Sequence, residues 1–102
     1  MNKAYRLFKE ALLRRYPVCE VCGFRRATQV GHCLYHVHGG IYDSFENCQS
    51  NCPICNSVTG RANWRSEKVR HWHKRVSEGY DMAGWNEQVP WPRRERFGEQ
   101  EE

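Results

Sequence analysis

Apolar side chains recur at helical spacing along the first fifteen residues: Tyr5, Phe8 and Leu12 share a stripe with Leu7 and Ala11, and basic residues lie between them. The spacing predicts a helix over 2–15. Pro17 ends it, because proline has no amide donor and a fixed φ. From Ala27 to Leu34 the pattern is that of a short strand, and Gly39-Gly40 opens an irregular loop running to about Asn47. Pro53 suits the first turn of a helix that Gly60 would close. A longer helix follows in NWRSEKVRHWHKRVSEGY, where Val69, Trp72 and Val76 sit at i, i+3 and i+7, with Trp64 or Arg65 one turn earlier. Arg70, Lys74 and Arg75 fall on its other side, and Gly79 stops it. His71 and His73, two apart, point to different faces. From Asp81 onward, Trp85, Trp91, Phe97, two prolines and an acidic end read as a tail, either draped over the core or partly disordered.

These elements define an α+β chain in three parts: an N-terminal helix over 1–17, a central unit with its following basic helix over 18–80, and the tail over 81–102. A chain of 102 residues buries a thin core, so a covalent or metal staple is expected. No apolar run reaches the length of a membrane span, and Met1 to Pro17 is amphipathic and charged, unlike a signal peptide. The expectation is a soluble cytoplasmic protein without a membrane partner. The formal charge is +4, and three of the twelve acids lie in the last four residues, so the rest of the chain is more basic still. That excess suits a polyanion only weakly, since basic surfaces also serve solubility.

In a reducing compartment six cysteines read as metal ligands before disulfides. Cys19-x-x-Cys22 and Cys52-x-x-Cys55 can each present two thiolates from a tight turn to one tetrahedral zinc. Competing ligands are His32, Cys33, His36, His38 and Cys48. A closed four-cysteine site leaves no position for water or substrate, so its role is structural and its binding energy becomes folding energy. Cys33 and Cys48 then read as small buried residues beside it.

From Cys19 the order is CEVC, VGH at 30–32, Gly-Gly at 39–40, EN at 46–47 and CPICN at 52–56. Over residues 19 to 60 this order resembles the zinc-containing branch of the HNH nucleases. The resemblance implies a ββα-metal unit, stapled by the cysteine knuckle and flanked by helices, that cleaves DNA with a divalent metal, Mg²⁺ or Mn²⁺. It makes His32 the general base, Asn47 the residue that orients its imidazole, and Asn56 a ligand of the catalytic metal. These types suit the chemistry: a neutral imidazole takes a proton from water near its ordinary pKa, and a hard cation prefers oxygen ligands. One position departs from the family. Gly31 stands where Asp or His usually supplies another metal ligand, and His36, His38 or Asp43 could replace it from the loop, His36 first. The Gly-His pair with CPICN, Gly60, Asn63 and an Arg-rich helix is similar to the NinG/Rap recombination nucleases of lambdoid phages, which implies host-cell cytoplasm and branched DNA.

Arg25 and Arg26 in the knuckle, with Arg61, Arg65, Lys68, Arg70, Lys74 and Arg75 after the motif, are the expected phosphate contacts. No base-reading module is visible, so recognition by DNA shape is expected. The rival reading is an inactive zinc-binding module on the same scaffold that binds DNA, or binds a protein through its tail. Homodimerisation through the first helix or the tail is a further expectation.

Overall fold

Helix α1 spans Lys3–Arg15 and is capped by Asn2, whose Oδ1 accepts from the Tyr5 amide at 2.7 Å. The structure is a computed structural model that describes residues 2–35, 41–59 and 64–89, with only the backbone of Thr59, Trp64 and Arg65. Along the predicted stripe Leu12 is fully buried, Tyr5 and Phe8 are half-buried, and Leu7 faces solvent. The helix stops at Tyr16, one residue before Pro17.

Strand β1 (Gln29–His32) pairs antiparallel with β2 (Cys48–Asn51), in the register Gln29↔Asn51, Val30↔Ser50, Gly31↔Gln49 and His32↔Cys48. The strand expected over 27–34 thus shortens to four residues. No periodicity announces β2, whose sequence CQSN lacks β-branched and aromatic residues. Burial and pairing hold it instead: all four residues are buried, and the Glu20 and Thr28 amides donate to Ser50 O and Asn51 O, each at 2.9 Å.

Side chains alternate across this ribbon, so Val30, His32, Cys48 and Ser50 share one face while Gln29, Gly31, Gln49 and Asn51 share the other. The first face meets α1 in a core of Leu12, Tyr16 and Cys48, with Phe8, Val30 and Phe45 packed against it. The second face meets α2 (Pro53–Thr59), which starts at the predicted proline, and α3 (Trp64–Ser77). Gly79, at φ +94°, ends α3 as expected. Gly60 lies outside the described residues.

One expectation about packing is corrected, and the choice left open for the tail is decided for its start. In α3, Val76 is 42% exposed, whereas Arg75 and His71 are buried. Arg75 is drawn inward because its guanidinium finds a full set of acceptors: Glu20 at 2.7 and 3.0 Å, Glu78 at 3.1 Å, Phe45 O at 2.7 Å and Cys48 O at 2.8 Å. The start of the tail belongs to the core: Trp85, on α4 (Ala83–Asn86), packs with Cys33, Leu34, Trp72 and Met82. Trp91 and Phe97 lie outside the described residues. Among those residues no helix is long and apolar enough to cross a membrane.

Candidate functional site

The two cysteine pairs come together. The Sγ atoms of Cys19, Cys22, Cys52 and Cys55 all lie within 4.8 Å of one another, and none is in a disulfide. A zinc tetrahedron with bonds of about 2.3 Å has sulfur–sulfur edges of about 3.8 Å, so the cluster could hold such an ion. Local folding sets it up. Gly23, at φ +78°, turns the first pair, the Gly23 amide donates to Cys19 O at 3.0 Å, and the Val21 amide donates to Cys19 Sγ at 3.4 Å. The second pair straddles the start of α2, where the Cys55 amide donates to Cys52 Sγ at 3.4 Å. Backbone N–H groups of Phe24 and Arg25 hold the Cys22 thiol down at about 6, and the Cys55 amide lowers that of Cys52. Burial, then the neighbouring Cys52 and Cys19, push Cys55 up to about 12. Opposite shifts within one small space fit a set of thiols that a cation bound between them would hold as thiolates.

Cys33 and Cys48 sit apart, one in each hydrophobic core, and burial raises both thiols, Cys33 to about 12. Cys48 Sγ does approach His32 and Asp43 within 4.8 Å. As a neutral thiol donating to Tyr42 O at 3.3 Å, it is a poor metal ligand there.

His32, the last residue of β1, places Nε2 2.8 Å from Asp43 Oδ1 and stacks its ring on Tyr42 with centroids 4.1 Å apart. Asn2, Tyr5, His32, Tyr42 and Asp43 line a cleft of about 480 Å³ beside the start of α1. The hydrogen-bond partner of the imidazole is therefore Asp43 rather than Asn47. The Asn47 amide is fully engaged elsewhere: Oδ1 accepts from the Leu34 amide at 2.9 Å and the Trp85 indole at 3.2 Å, while Nδ2 donates to Leu34 O and Tyr42 O, each at 3.0 Å. Asn47 pins the loop that carries Tyr42 and Asp43, so it acts on His32 only through that loop. The sequence offered no sign of Asp43 as this partner, since a separation of 11 residues through an irregular loop has no characteristic spacing.

Asn56 stands on the first turn of α2, on the Gly31 face of the ribbon. A Cβ at Gly31 would fall inside contact distance of the Asn51 amide and 3.5 Å from Asn56 Oδ1. A side chain at 31 would therefore have to displace the Asn51 amide. His36 and His38 lie outside the described residues.

The expected phosphate contacts fare unevenly. Arg75 is fully buried, which removes it from any surface. Arg70 binds Glu67, Gln49 and Glu20 O; Lys74 binds Glu20 and Glu78; Lys68 donates to Cys33 O. Arg25 lies 4.4 Å over the Phe24 ring and beside the Cys52 and Cys22 thiols, while Arg26 is exposed. Arg61 and the side chain of Arg65 lie outside the described residues. The group that organises this region, Glu20, escaped the sequence reading, where one acid between two cysteines carries no signal. Its carboxyl is opposed by burial, yet Arg75, Lys74 and the Ser50 amide hold it at about 2. No protein-family model, curated protein or solved structure matches the chain.

Proposed function

We propose that this chain is a metal-dependent DNA endonuclease of HNH type, hydrolysing phosphodiester bonds on a scaffold held by zinc at Cys19, Cys22, Cys52 and Cys55. The observation that supports it most is the His32–Asp43 pair at a strand end, 2.8 Å apart and bordering a cleft. When Nε2–H is donated to the Asp43 carboxylate, Nδ1 keeps the lone pair and the imidazole is aimed. His32 then takes a proton from water as its oxygen bonds to phosphorus, the P–O3′ bond breaks, and the 3′ oxygen leaves to be protonated. A divalent cation, Mg²⁺ or Mn²⁺, stabilises charge on that leaving oxygen when bound, and Asn56 offers it an amide oxygen.

In-line displacement needs the base and the leaving-group stabiliser on opposite sides of phosphorus. His32 and Gly31 face opposite sides of the ribbon, so on this reading the scissile phosphate lies at the strand end, where the two faces meet. The positively charged footprint is best sought on α1, where Lys3 and Arg6 are exposed next to cleft residues Asn2 and Tyr5, and at Arg26. Preference for branched DNA rests on the resemblance to the NinG/Rap nucleases.

The test is cleavage of junction, flap, single-stranded and duplex DNA with Mg²⁺ or Mn²⁺. His32→Ala should lower the rate by about 10²–10⁴, the usual worth of a positioned base, and Asp43→Asn should lower it less. Binding without cutting, on every substrate and with either metal, replaces this reading with its rival, an inactive zinc-binding module for DNA or protein. The side chain missing at Gly31 is the observation that favours the rival.

A further inference from the structure

Tyr42 is 40% exposed and belongs to neither hydrophobic core, yet it is held in place. Its carbonyl accepts from Asn47 Nδ2 at 3.0 Å and from the Cys48 thiol at 3.3 Å. Its ring lies against the His32 imidazole with centroids 4.1 Å apart and planes 12° from parallel, and Asp43 holds that imidazole in turn. An exposed ring braced in this way has already given up its conformational freedom, so a planar ligand stacking on it loses little more. The cleft that Tyr42 borders holds about 480 Å³, with Asn2, Tyr5, His32 and Asp43 as the other lining residues. That volume suits a ligand of nucleoside size.

The lining also selects. Two phenol rings and an imidazole give apolar faces to a base, while the Asp43 carboxylate disfavours a phosphate beside it. Cations stand outside the cleft: Lys3 and Arg6 are exposed on α1, each next in sequence to a lining residue. Aromatic faces flanked by cations are how single-stranded nucleic acids are held, base on ring and phosphate on cation. We infer that the cleft takes one unpaired base of a DNA strand, stacked on Tyr42, while Lys3 and Arg6 contact phosphates of the same strand. This deepens the nuclease reading and rests on it for its purpose: with the scissile phosphate at the strand end, the stacked base belongs to an adjoining nucleotide. A base inside a duplex reaches Tyr42 only after leaving the helix. Stacking on an aromatic side chain is worth about 5–150-fold in affinity per base, and flipping a base out of a duplex costs a comparable factor. Intact duplex therefore gains nothing from Tyr42, whereas a flap or a single strand gains the whole factor.

Binding to the zinc-loaded full chain, without Mg²⁺ or Mn²⁺, is measured by fluorescence anisotropy. The probes are a labelled oligodeoxythymidylate of about ten residues, a fully abasic strand of the same length, and a duplex hairpin. Wild type should bind the thymidylate about tenfold more tightly than the abasic strand or the hairpin, with nuclear Overhauser contacts from thymine protons to the Tyr42 ring. Tyr42→Leu should bind thymidylate and abasic strand equally, with abasic affinity and zinc content unchanged; Tyr42→Phe, which keeps the ring face, should retain the preference. Equal wild-type affinity for the thymidylate and the abasic strand, or a base preference that survives in Tyr42→Leu, overturns the inference. So does tighter binding of the matching oligouridylate, which assigns the cleft to RNA. If the base preference runs through Tyr42 and no substrate is cut with either metal, the site stands and the nuclease reading fails. If DNA is cut and the base preference is absent, the nuclease stands and the site fails.

Discussion

In α1, Lys3, Arg6, Arg14 and Arg15 face solvent, whereas in α3 the Arg75 guanidinium is enclosed by Glu20, Glu78 and two carbonyls, and Arg70 and Lys74 are tied to internal partners. Each helix has five basic residues, so composition does not distinguish them. What separates them is the position of one carboxylate. Glu20 sits inside the cysteine knuckle, where its side chain accepts from the Ser50 amide at 2.8 Å and reaches Arg75 across 55 positions of sequence. The knuckle therefore anchors α3 as well as offering a metal site, while among the described residues no comparable set of partners restrains the cations of α1. A basic helix is evidence of a polyanion surface only when its partners are known.

Removing the knuckle breaks both sides of this contrast and has the largest expected effect. Cys52→Ser should lose about one zinc and the folded far-UV spectrum together, because structural zinc contributes about 10–16 kcal/mol in small domains. A folded variant with unchanged zinc content would refute the four-cysteine site. Breaking only the α3 side comes next. Glu20→Gln strips Arg75 of its main buried partner and should cost about 3–5 kcal/mol in denaturant unfolding. A loss under about 1 kcal/mol would mean the network is worth no more than a surface pair.

Acid should weaken the same side without mutation. Glu20 is held at about 2 against an ordinary 4.5, and His71 is pushed from 6.5 to about 4 by burial and the Arg75 charge. Both folded values lie below the unfolded ones, so the unfolded chain binds more protons and stability falls as pH falls. The His71 contribution declines from about pH 6.5 toward 4, and that of Glu20 from about 4.5 toward 2, each by about 3 kcal/mol. Unfolding measured across this range with zinc content checked should show two declines, and Glu20→Gln should abolish only the lower one. The smallest effect on stability belongs to α1. Lys3→Ala with Arg6→Ala should change stability by no more than about 0.5 kcal/mol, yet lower the salt slope of DNA affinity by about two. An unchanged slope removes α1 from the DNA interface.

The helices were legible because their signals are local. Tyr5, Phe8 and Leu12 mark α1, Pro53 opens α2 and Gly79 closes α3, each through spacing or a backbone preference contained within a few residues. The cysteine pairs were legible for the same reason: two Cys-x-x-Cys turns carry their ligand geometry with them. By contrast, β2 has no apolar alternation to find, and α3 turned its apparent polar side inward because ionic partners outweighed the small apolar area of Val76. The candidate site divides in the same way. His32 and Asn56 could be named from their register with the cysteines, but their partners could not.

By itself, then, the sequence determined helices α1 to α3, the strand that ends in His32 and the four-cysteine grouping. Only the tertiary structure decided that Asp43 rather than Asn47 faces His32, that Arg75 is buried on Glu20, and that Asn51 fills the space beside Gly31. Periodicity and turn chemistry act within one or two turns of chain. Hydrogen bonds and ion pairs join groups that folding brings within about 3 Å whatever their separation in sequence, and no local pattern encodes that meeting.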